Sequence, residues 1–301
     1  MSFLDRIRDC NQCDPVRYLP FRVEGRHVGW VLRTLLEPLR AWPDVFQMAG
    51  DQLILSPSLL GLKARSEAVA RVCRQLVADG LVKRIHGERY PVAEVDRLRP
   101  LLLIDRACAT PFGVRAYGQH LNGYVRSRGE IKLWVARRAK DKPTFPGMLD
   151  NLVAGGLPYG LALADNLTKE CWEEAAIPPA LAARAVPTGA VSYYWETDHG
   201  LKPDVMFTYD LELPKTFTPR CTDGEVESFE LWSLDQVAEV VQDTQEFKPN
   251  CNLVIIDFLI RHGVIDADDP DYLALTTGLH RPLALATLNA ALPCMDTTTT
   301  K

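Results

Sequence analysis

The segment that decides the fold is GGLPYGLALADNLTKECWEEAAI, residues 155–177. If it forms an α-helix, at about 100° per residue, three glutamates share an arc roughly 100° wide beside an apolar stripe. The glutamates are Glu170, Glu173 and Glu174, and the stripe consists of Leu167, Cys171 and Ala175. Like charges three and four residues apart destabilise an isolated helix, so the cluster needs either full solvation or a cation. The pattern predicts a helix that binds a hard divalent ion through carboxylate oxygens.

A glycine-rich turn precedes the predicted helix. Gly155, Gly156 and Gly160 with Pro158 indicate a tight connection in which the backbone can approach a ligand closely. Asp165 is the expected N-cap of the helix. The turn and the carboxylates together have the layout of a site for magnesium and a diphosphate.

These residues resemble the Nudix (MutT-like) box, whose usual form is G, five residues, E, seven residues, then REUxEExGU with U an aliphatic residue. Gly155 falls on the opening glycine of the box. The metal-binding glutamates of the box fall on Glu170, Glu173 and Glu174. The resemblance implies a hydrolase that uses Mg²⁺ or Mn²⁺.

Three positions depart from the box. Leu161 stands where the box has its first glutamate, and Ala176 replaces the last glycine. Lys169 replaces the arginine, keeping the positive charge but losing the planar guanidinium fork. Either Asp165 or Glu225 is a candidate to replace the missing carboxylate.

The segments FPGMLDNLVAGG (145–156) and KECWEEA (169–175) resemble a Nudix subgroup described as related to thiamine pyrophosphokinase. This resemblance covers most of residues 1–265 and implies an N-terminal domain of undefined function before the hydrolase domain. It also implies hydrolysis of thiamine diphosphate, or of its oxidised analogues, to the monophosphate. A substituted first glutamate is tolerated in this subgroup.

The expected fold class is therefore α+β. A Nudix-type α/β/α sandwich with a mixed sheet is preceded by a smaller α+β domain. The boundaries are 1–112 for the N-terminal domain, 113–265 for the Nudix domain and 266–301 for a partly disordered C-terminal extension.

Several elements are predicted from apolar periodicity and turn residues. The N-terminal part should contain amphipathic helices at 28–39 and 66–79. In the second part, Gly129 should turn a hairpin, and helices should form at 234–243 and 252–263. A last helix is expected at 282–292. The order of elements in the N-terminal part, helix, glycine, strand, turn and strand, also occurs in winged-helix DNA-binding proteins. The basic residues of this part of the chain are interpreted as a solvent-exposed face.

Composition limits the function classes. The chain has 301 residues and a net charge of -5, which argues against general nucleic-acid binding because that requires a basic footprint. No long apolar run or N-terminal hydrophobic region is present, so we expect a cytoplasmic protein without a membrane partner. The sequence leaves a homodimer open.

Other residues are candidates to line the site. Glu225 lies before a predicted strand, where many Nudix proteins carry an additional acidic residue, and a charged strand edge is the alternative. Four aromatic residues are candidates to stack on a heterocycle, although core packing is the commoner role of such residues: Trp134, Tyr193, Tyr194 and Trp195. Arg137, Arg138 and Lys142 are candidates for diphosphate contacts, with surface charge as the alternative.

The function that these observations favour is metal-assisted hydrolysis of a diphosphate linkage in a small metabolite. A catalytically degenerate, Nudix-like module that senses a ligand is the competing hypothesis, motivated by Leu161. Isopentenyl-diphosphate isomerase chemistry on a related scaffold is a third, but no cysteine is placed to support it.

Overall fold

The computed structural model describes residues 2–281, which divide into two compact units. One unit comprises 2–12, 116–195 and 204–281, and the other comprises 13–115 and 196–203. The expected helix at 282–292 lies outside the described residues.

The elements of the smaller unit are β1 Tyr18–Val23, β2 Arg26–Leu32, α2 Leu36–Arg40, β3 Phe46–Met48, β4 Leu53–Leu55, α3 Gly61–Ala78, β5 Arg89–Val92, β6 Leu102–Asp105 and α4 Arg106–Ala109. Four of the strands form a sheet in the order β2-β1-β4-β3. Strands β1 and β4 are parallel, whereas β1–β2 and β3–β4 are antiparallel. Strands β5 and β6 form a separate antiparallel pair.

The helix predicted at 28–39 was wrong. Its first half is strand β2, and only Leu36–Arg40 is α-helical. Every residue of β2 after Arg26 is buried. A short apolar run buried on both faces has no informative period, so helix and strand cannot be distinguished there.

The larger unit begins with helix α1, Phe3–Asp9, which lies within the 1–112 range predicted for the N-terminal domain. Ser2 and Asp5 form a reciprocal capping box at its start. Ile7 is buried, and Nε of Arg6 donates to the carbonyl of Val241 at 3.0 Å. Packing therefore places these first residues with the second domain.

The other elements of this unit follow in chain order. They are β7 Tyr117–Ser127, β8 Glu130–Arg138, β9 Leu149–Asp150, β10 Val153–Gly156, α5 Leu163–Ala175, α6 Pro179–Ala182, β11 Val186–Thr197, β12 Gly200–Glu212, β13 Val226–Ser233, α7 Leu234–Asp243, α8 Pro249–Arg261 and α9 Tyr272–Gly278. The end of β11 and the start of β12 belong to the 196–203 segment.

A seven-stranded mixed sheet is the centre of the larger unit. Its main path is β11-β12-β7-β8-β13, with β10 paired to β7 and β9 paired to β8. Strands β12 and β7 are parallel, whereas β7–β8 and β8–β13 are antiparallel. The predicted β7–β8 hairpin is confirmed, and Arg128 and Gly129 both have positive φ, as a two-residue hairpin turn with right-handed strand twist requires.

Helices cover both faces of this sheet. Leu167 and Cys171 of α5 pack with Leu121 of β7 in one apolar cluster. On the opposite face, α8 contributes most of a second cluster that includes Leu133 and Val135 of β8. The expected α/β/α sandwich is therefore present. Within residues 2–281, no helix has the length and apolar character needed to cross a bilayer.

Candidate metal and phosphate site

Helix α5, Leu163–Ala175, carries the three glutamates, but its start differs from the predicted N-cap at Asp165. It begins at Leu163 after Ala162, with no side-chain cap. Asp165 lies exposed in the first turn, so the N-cap prediction was wrong. The helix ends at Ala175, and Ala176 adopts the left-handed conformation with φ of 52°. A glycine in that position, as in the usual box, avoids a cost of about 1 kcal/mol.

Gly155 is required by the approach of Glu170. A Cβ added at Gly155 would lie 2.4 Å from Cδ of Glu170. Gly156 follows in β10, and its carbonyl accepts a hydrogen bond from Nδ2 of Asn166 at 2.9 Å. The turn and the helix are thus in direct contact at the carboxylate.

Glu174 is the most buried of the three glutamates, with 8% of its surface exposed. Its Oε2 accepts a hydrogen bond from the backbone N–H of Ala154 at 2.8 Å. Burial raises the pKa of Glu174 to about 8, against the effect of the Ala154 hydrogen bond, and the charges of nearby carboxylates act in the same direction as burial. The ionised form of Glu174 is therefore disfavoured unless a cation lies nearby.

Lys169 joins the other two glutamates. Its Nζ lies 3.1 Å from Oε1 of Glu170 and 2.7 Å from Oε2 of Glu173. Burial raises the pKa of Glu170, and the negative charges of Glu173 and Glu225 add to the effect, whereas Lys169 opposes it. Lys169 thus retains the ion pairing that the arginine of the box would supply, without the bidentate geometry.

Glu225 reaches the same cluster from the loop before β13. Its charge raises the pKa values of both Glu170 and Glu174. Its Oε2 lies 2.5 Å from Nζ of Lys142, and its carbonyl accepts from the N–H of Ala139 at 3.0 Å. The structure therefore brings Glu225 into electrostatic contact with the helix, whereas Asp165 is not brought there.

Both predicted arginines, Arg137 and Arg138, bind carbonyls of the 139–147 loop. Nη1 of Arg137 donates to the carbonyl of Gly147 at 2.9 Å. Its neighbour Arg138 donates to the carbonyls of Thr144 and Phe145 and forms an ion pair with Asp150 at 2.8 Å. Both guanidinium groups hold the 139–147 loop.

The predicted aromatic residues do not form one surface. Trp134 is partly buried against the apolar cluster on the α5 side of the sheet. Tyr194 is 6% exposed, and its N–H donates to Oδ1 of Asn11. The predicted Trp195 stacks on Phe145, with ring centroids 5.5 Å apart and an interplanar angle of 25°, and packs against the apolar cluster on the α8 side of the sheet. Phe145 lies on the loop that carries Lys142.

The structure also contains a buried polar network that the sequence did not predict. His120, Asp150 and Cys251 place potential ligand atoms within 4.8 Å of one another. The carboxylate of Asp150 is already neutralised, because Arg138 lies at 2.8 Å and Lys248 at 3.6 Å. Sγ of Cys251 donates to Asp150 at 2.7 Å. The network therefore has its own cations and does not need a metal. No local pattern could reveal it, since Lys248 lies far along the chain.

Two surface cavities of the described residues do not contain the carboxylate cluster. One, of about 470 Å³, is lined by residues of the smaller unit, including Arg22 and Arg65. The other, of about 450 Å³, includes Arg184, Asp210 and Arg261 of the larger unit. Neither has a glutamate of α5 in its lining, so the cluster is not enclosed by either cavity.

The donor set fits a divalent cation. Glu170 lies against Gly155, Glu174 accepts from the N–H of Ala154, and the charges of Glu173 and Glu225 act on Glu170. Oxygen is the donor that magnesium and manganese prefer. Two lysines, Lys142 and Lys169, supply the nearby positive charge. If all six groups are ionised, the formal charge of the cluster is four negative against two positive. The net charge of the cluster is then two negative, which one divalent ion would neutralise.

Comparisons with known proteins identify relatives of the chain. Residues 123–251 match the family described as NUDIX domain, and residues 2–116 match a domain of unknown function, DUF4743. Nudix hydrolase 20, chloroplastic, from Arabidopsis thaliana is 42% identical over 285 residues, covering 91% of this chain and 76% of the relative. Nudix hydrolase 24, chloroplastic, from the same plant is 42% identical over 278 residues, with the same coverage. A solved Ap4A hydrolase from C. elegans is 14% identical, with a TM-score of 0.36, over 50% of this chain and 99% of that chain.

Proposed function

Because the chain belongs to the Nudix hydrolase family, we propose that it hydrolyses a diphosphate linkage in a small metabolite with Mg²⁺ or Mn²⁺. The observation that carries the proposal is the clustering of Glu170, Glu173 and Glu174 on one helix face, with Glu170 against Gly155 and the charge of Glu225 acting on Glu170 and Glu174. Nudix hydrolases generally use a divalent metal, and this cluster has the oxygen donors and the uncompensated negative charge to hold one.

The roles follow from position. Glu170, Glu173 and Glu174 would hold the ion from one helix face, while Gly155 gives the Glu170 carboxylate room against the backbone. A divalent ion held there would neutralise phosphate charge and lower the pKa of a bound water. Glu225 completes the set as a further ligand or as the group that accepts the water's proton. Positioning and charge stabilisation provide most of the rate in phosphoryl transfer.

Thiamine diphosphate, or an oxidised analogue, is the substrate that we propose within this class. The support is the resemblance of residues 145–156 and 169–175 to the thiamine-linked subgroup. Cleavage between the two phosphates would give thiamine monophosphate and inorganic phosphate.

The test is a substrate panel in the presence of Mg²⁺. Thiamine diphosphate, nucleotide sugars, dinucleotides and nucleoside triphosphates are incubated with the wild-type chain and with Glu173→Gln, and the products are identified by mass spectrometry. Thiamine monophosphate from the wild type alone supports the full proposal. Turnover only of nucleotides, or release of free thiamine, refutes the substrate. The absence of turnover across the panel refutes the hydrolase proposal.

A further inference from the structure

The ion pair between Lys142 and Glu225 links a loop cation to the carboxylate cluster. Nζ of Lys142 lies 2.5 Å from Oε2 of Glu225, and the Lys142 side chain is 19% exposed while that of Glu225 is 47% exposed. Glu225 in turn acts electrostatically on Glu170 and Glu174. Lys142 therefore lies where its charge partly neutralises the same group of carboxylates that would hold the divalent ion.

The loop around Lys142 is held without help from its side chain. Arg138 donates to the carbonyls of Thr144 and Phe145, and Arg137 donates to that of Gly147. The N–H of Ala139 donates to the carbonyl of Glu225. These contacts fix the backbone, so the flexible four-carbon stem of Lys142 can change partners without rearrangement of the loop.

A divalent cation beside Glu225 changes the electrostatic balance at Lys142. The cation attracts Glu225 with twice the charge of an ammonium group, and it repels the ammonium itself. Arg137 and Arg138 are committed to loop carbonyls and to Asp150, and Lys140 pairs with Glu227, so Lys142 is the lysine of this loop that pairs with Glu225. A substrate diphosphate bound beside the ion would offer oxygens that accept hydrogen bonds from its ammonium group.

We propose that Lys142 occupies the cation position at Glu225 in the metal-free protein, and that metal binding transfers its ammonium group to the substrate diphosphate. This inference rests on the proposed diphosphate hydrolysis. It makes Lys142 both a competitor of the metal and a ligand of the substrate. Removal of its charge should therefore strengthen metal binding and weaken diphosphate binding, a combination that a purely structural ion pair would not produce.

The test uses the full chain with Lys142→Gln and a matched control, Lys140→Gln. Lys140 belongs to the same loop and pairs with Glu227 at 3.2 Å, with 79% of its side chain exposed. Mn²⁺ binding is measured from the free-ion signal in electron paramagnetic resonance. Binding of methylenediphosphonate, a diphosphate that cannot be hydrolysed, to the Mn²⁺-loaded protein is measured by calorimetry.

We expect Lys142→Gln to bind Mn²⁺ about two- to fivefold more tightly, which is the range for loss of one partly exposed ion pair. Its affinity for methylenediphosphonate should fall about tenfold or more, as expected for loss of a charged hydrogen bond. Lys140→Gln should match the wild type in both measurements, and Lys142→Arg should restore most of the diphosphate affinity.

Unchanged or weaker Mn²⁺ binding in Lys142→Gln refutes the exchange, as does unchanged diphosphate affinity. Equal changes in Lys140→Gln also refute it, because the effect would then be one of general charge. Failure of the proposed function looks different, since the wild-type chain itself would then bind no Mn²⁺ or hydrolyse no member of the panel.

Discussion

Replacement of Glu174 by glutamine should stabilise the metal-free protein at alkaline pH. With a pKa raised to about 8 in the folded chain from an ordinary value of 4.5, ionisation of this carboxyl opposes folding. Because the folded-state pKa is raised, the contribution of Glu174 to stability is fully present below pH 4.5 and is lost as the pH rises through 8. The full loss is about 5 kcal/mol, and about 3 kcal/mol is already lost at pH 7.

Glutamine keeps the shape of Glu174 and an oxygen that can accept from the Ala154 N–H. The amide N–H groups of the buried glutamine need hydrogen-bond acceptors, and an unsatisfied buried donor costs about 1–2 kcal/mol. The charge effect, about 5 kcal/mol near pH 8.5, exceeds this cost, so the net gain is about 3–4 kcal/mol. That corresponds to a rise in Tm of about 6–16 °C for a unit of this size. At pH 4.5 the two proteins differ only by the amide, and the variant should be equal or slightly less stable.

The assay is thermal unfolding followed by circular dichroism at pH 4.5, 7 and 8.5, after treatment with a chelator and again with Mg²⁺. His120, whose pKa burial lowers to about 4, contributes equally to both proteins and cancels in the difference. Mg²⁺ should raise the Tm of the wild type, since it binds only the folded state, and should raise that of Glu174→Gln much less. A variant destabilised by the same amount at every pH would refute the reasoning, because Glu174 would then be a structural hydrogen-bond acceptor and not a desolvated charge.

Three other predictions concern the same molecule. Glu173→Gln should lower turnover of the panel substrate by orders of magnitude with little change in Tm, whereas the control Asp165→Asn, exposed on the first turn of the same helix, should keep wild-type rates in a steady-state assay. Gly155→Ala should lower kcat about a hundredfold, since its Cβ would displace the Glu170 carboxylate, and a kcat within twofold of the wild type would show that the contact is not needed. Full-length protein should show no sequence-selective binding to duplex DNA at physiological salt in fluorescence anisotropy, and sub-micromolar selective binding that maps to residues 1–112 would contradict this.

The sequence alone determined what depends on local periodicity. The three glutamates share one face of α5 because the helical repeat fixes their relative angles whatever the rest of the chain does. The helix Leu234–Asp243 was predicted with its bounds, and Ser233 caps it through the N–H of Gln236. The β7–β8 hairpin was predictable for the same reason, since Gly129 specifies a turn with its immediate neighbours.

Tertiary structure decided everything that depends on which surfaces meet. The strand β2 could not be separated from a helix until its burial on both faces was known. Glu225 and Asp165 were equal candidates in the sequence, and only the arrangement of the strands brings Glu225 to α5 and leaves Asp165 exposed. The Lys142 partner of Glu225 likewise depends on the path of the 139–147 loop. Local periodicity fixes directions within one element, but contacts between distant segments are selected by packing of the whole core, which no short pattern contains.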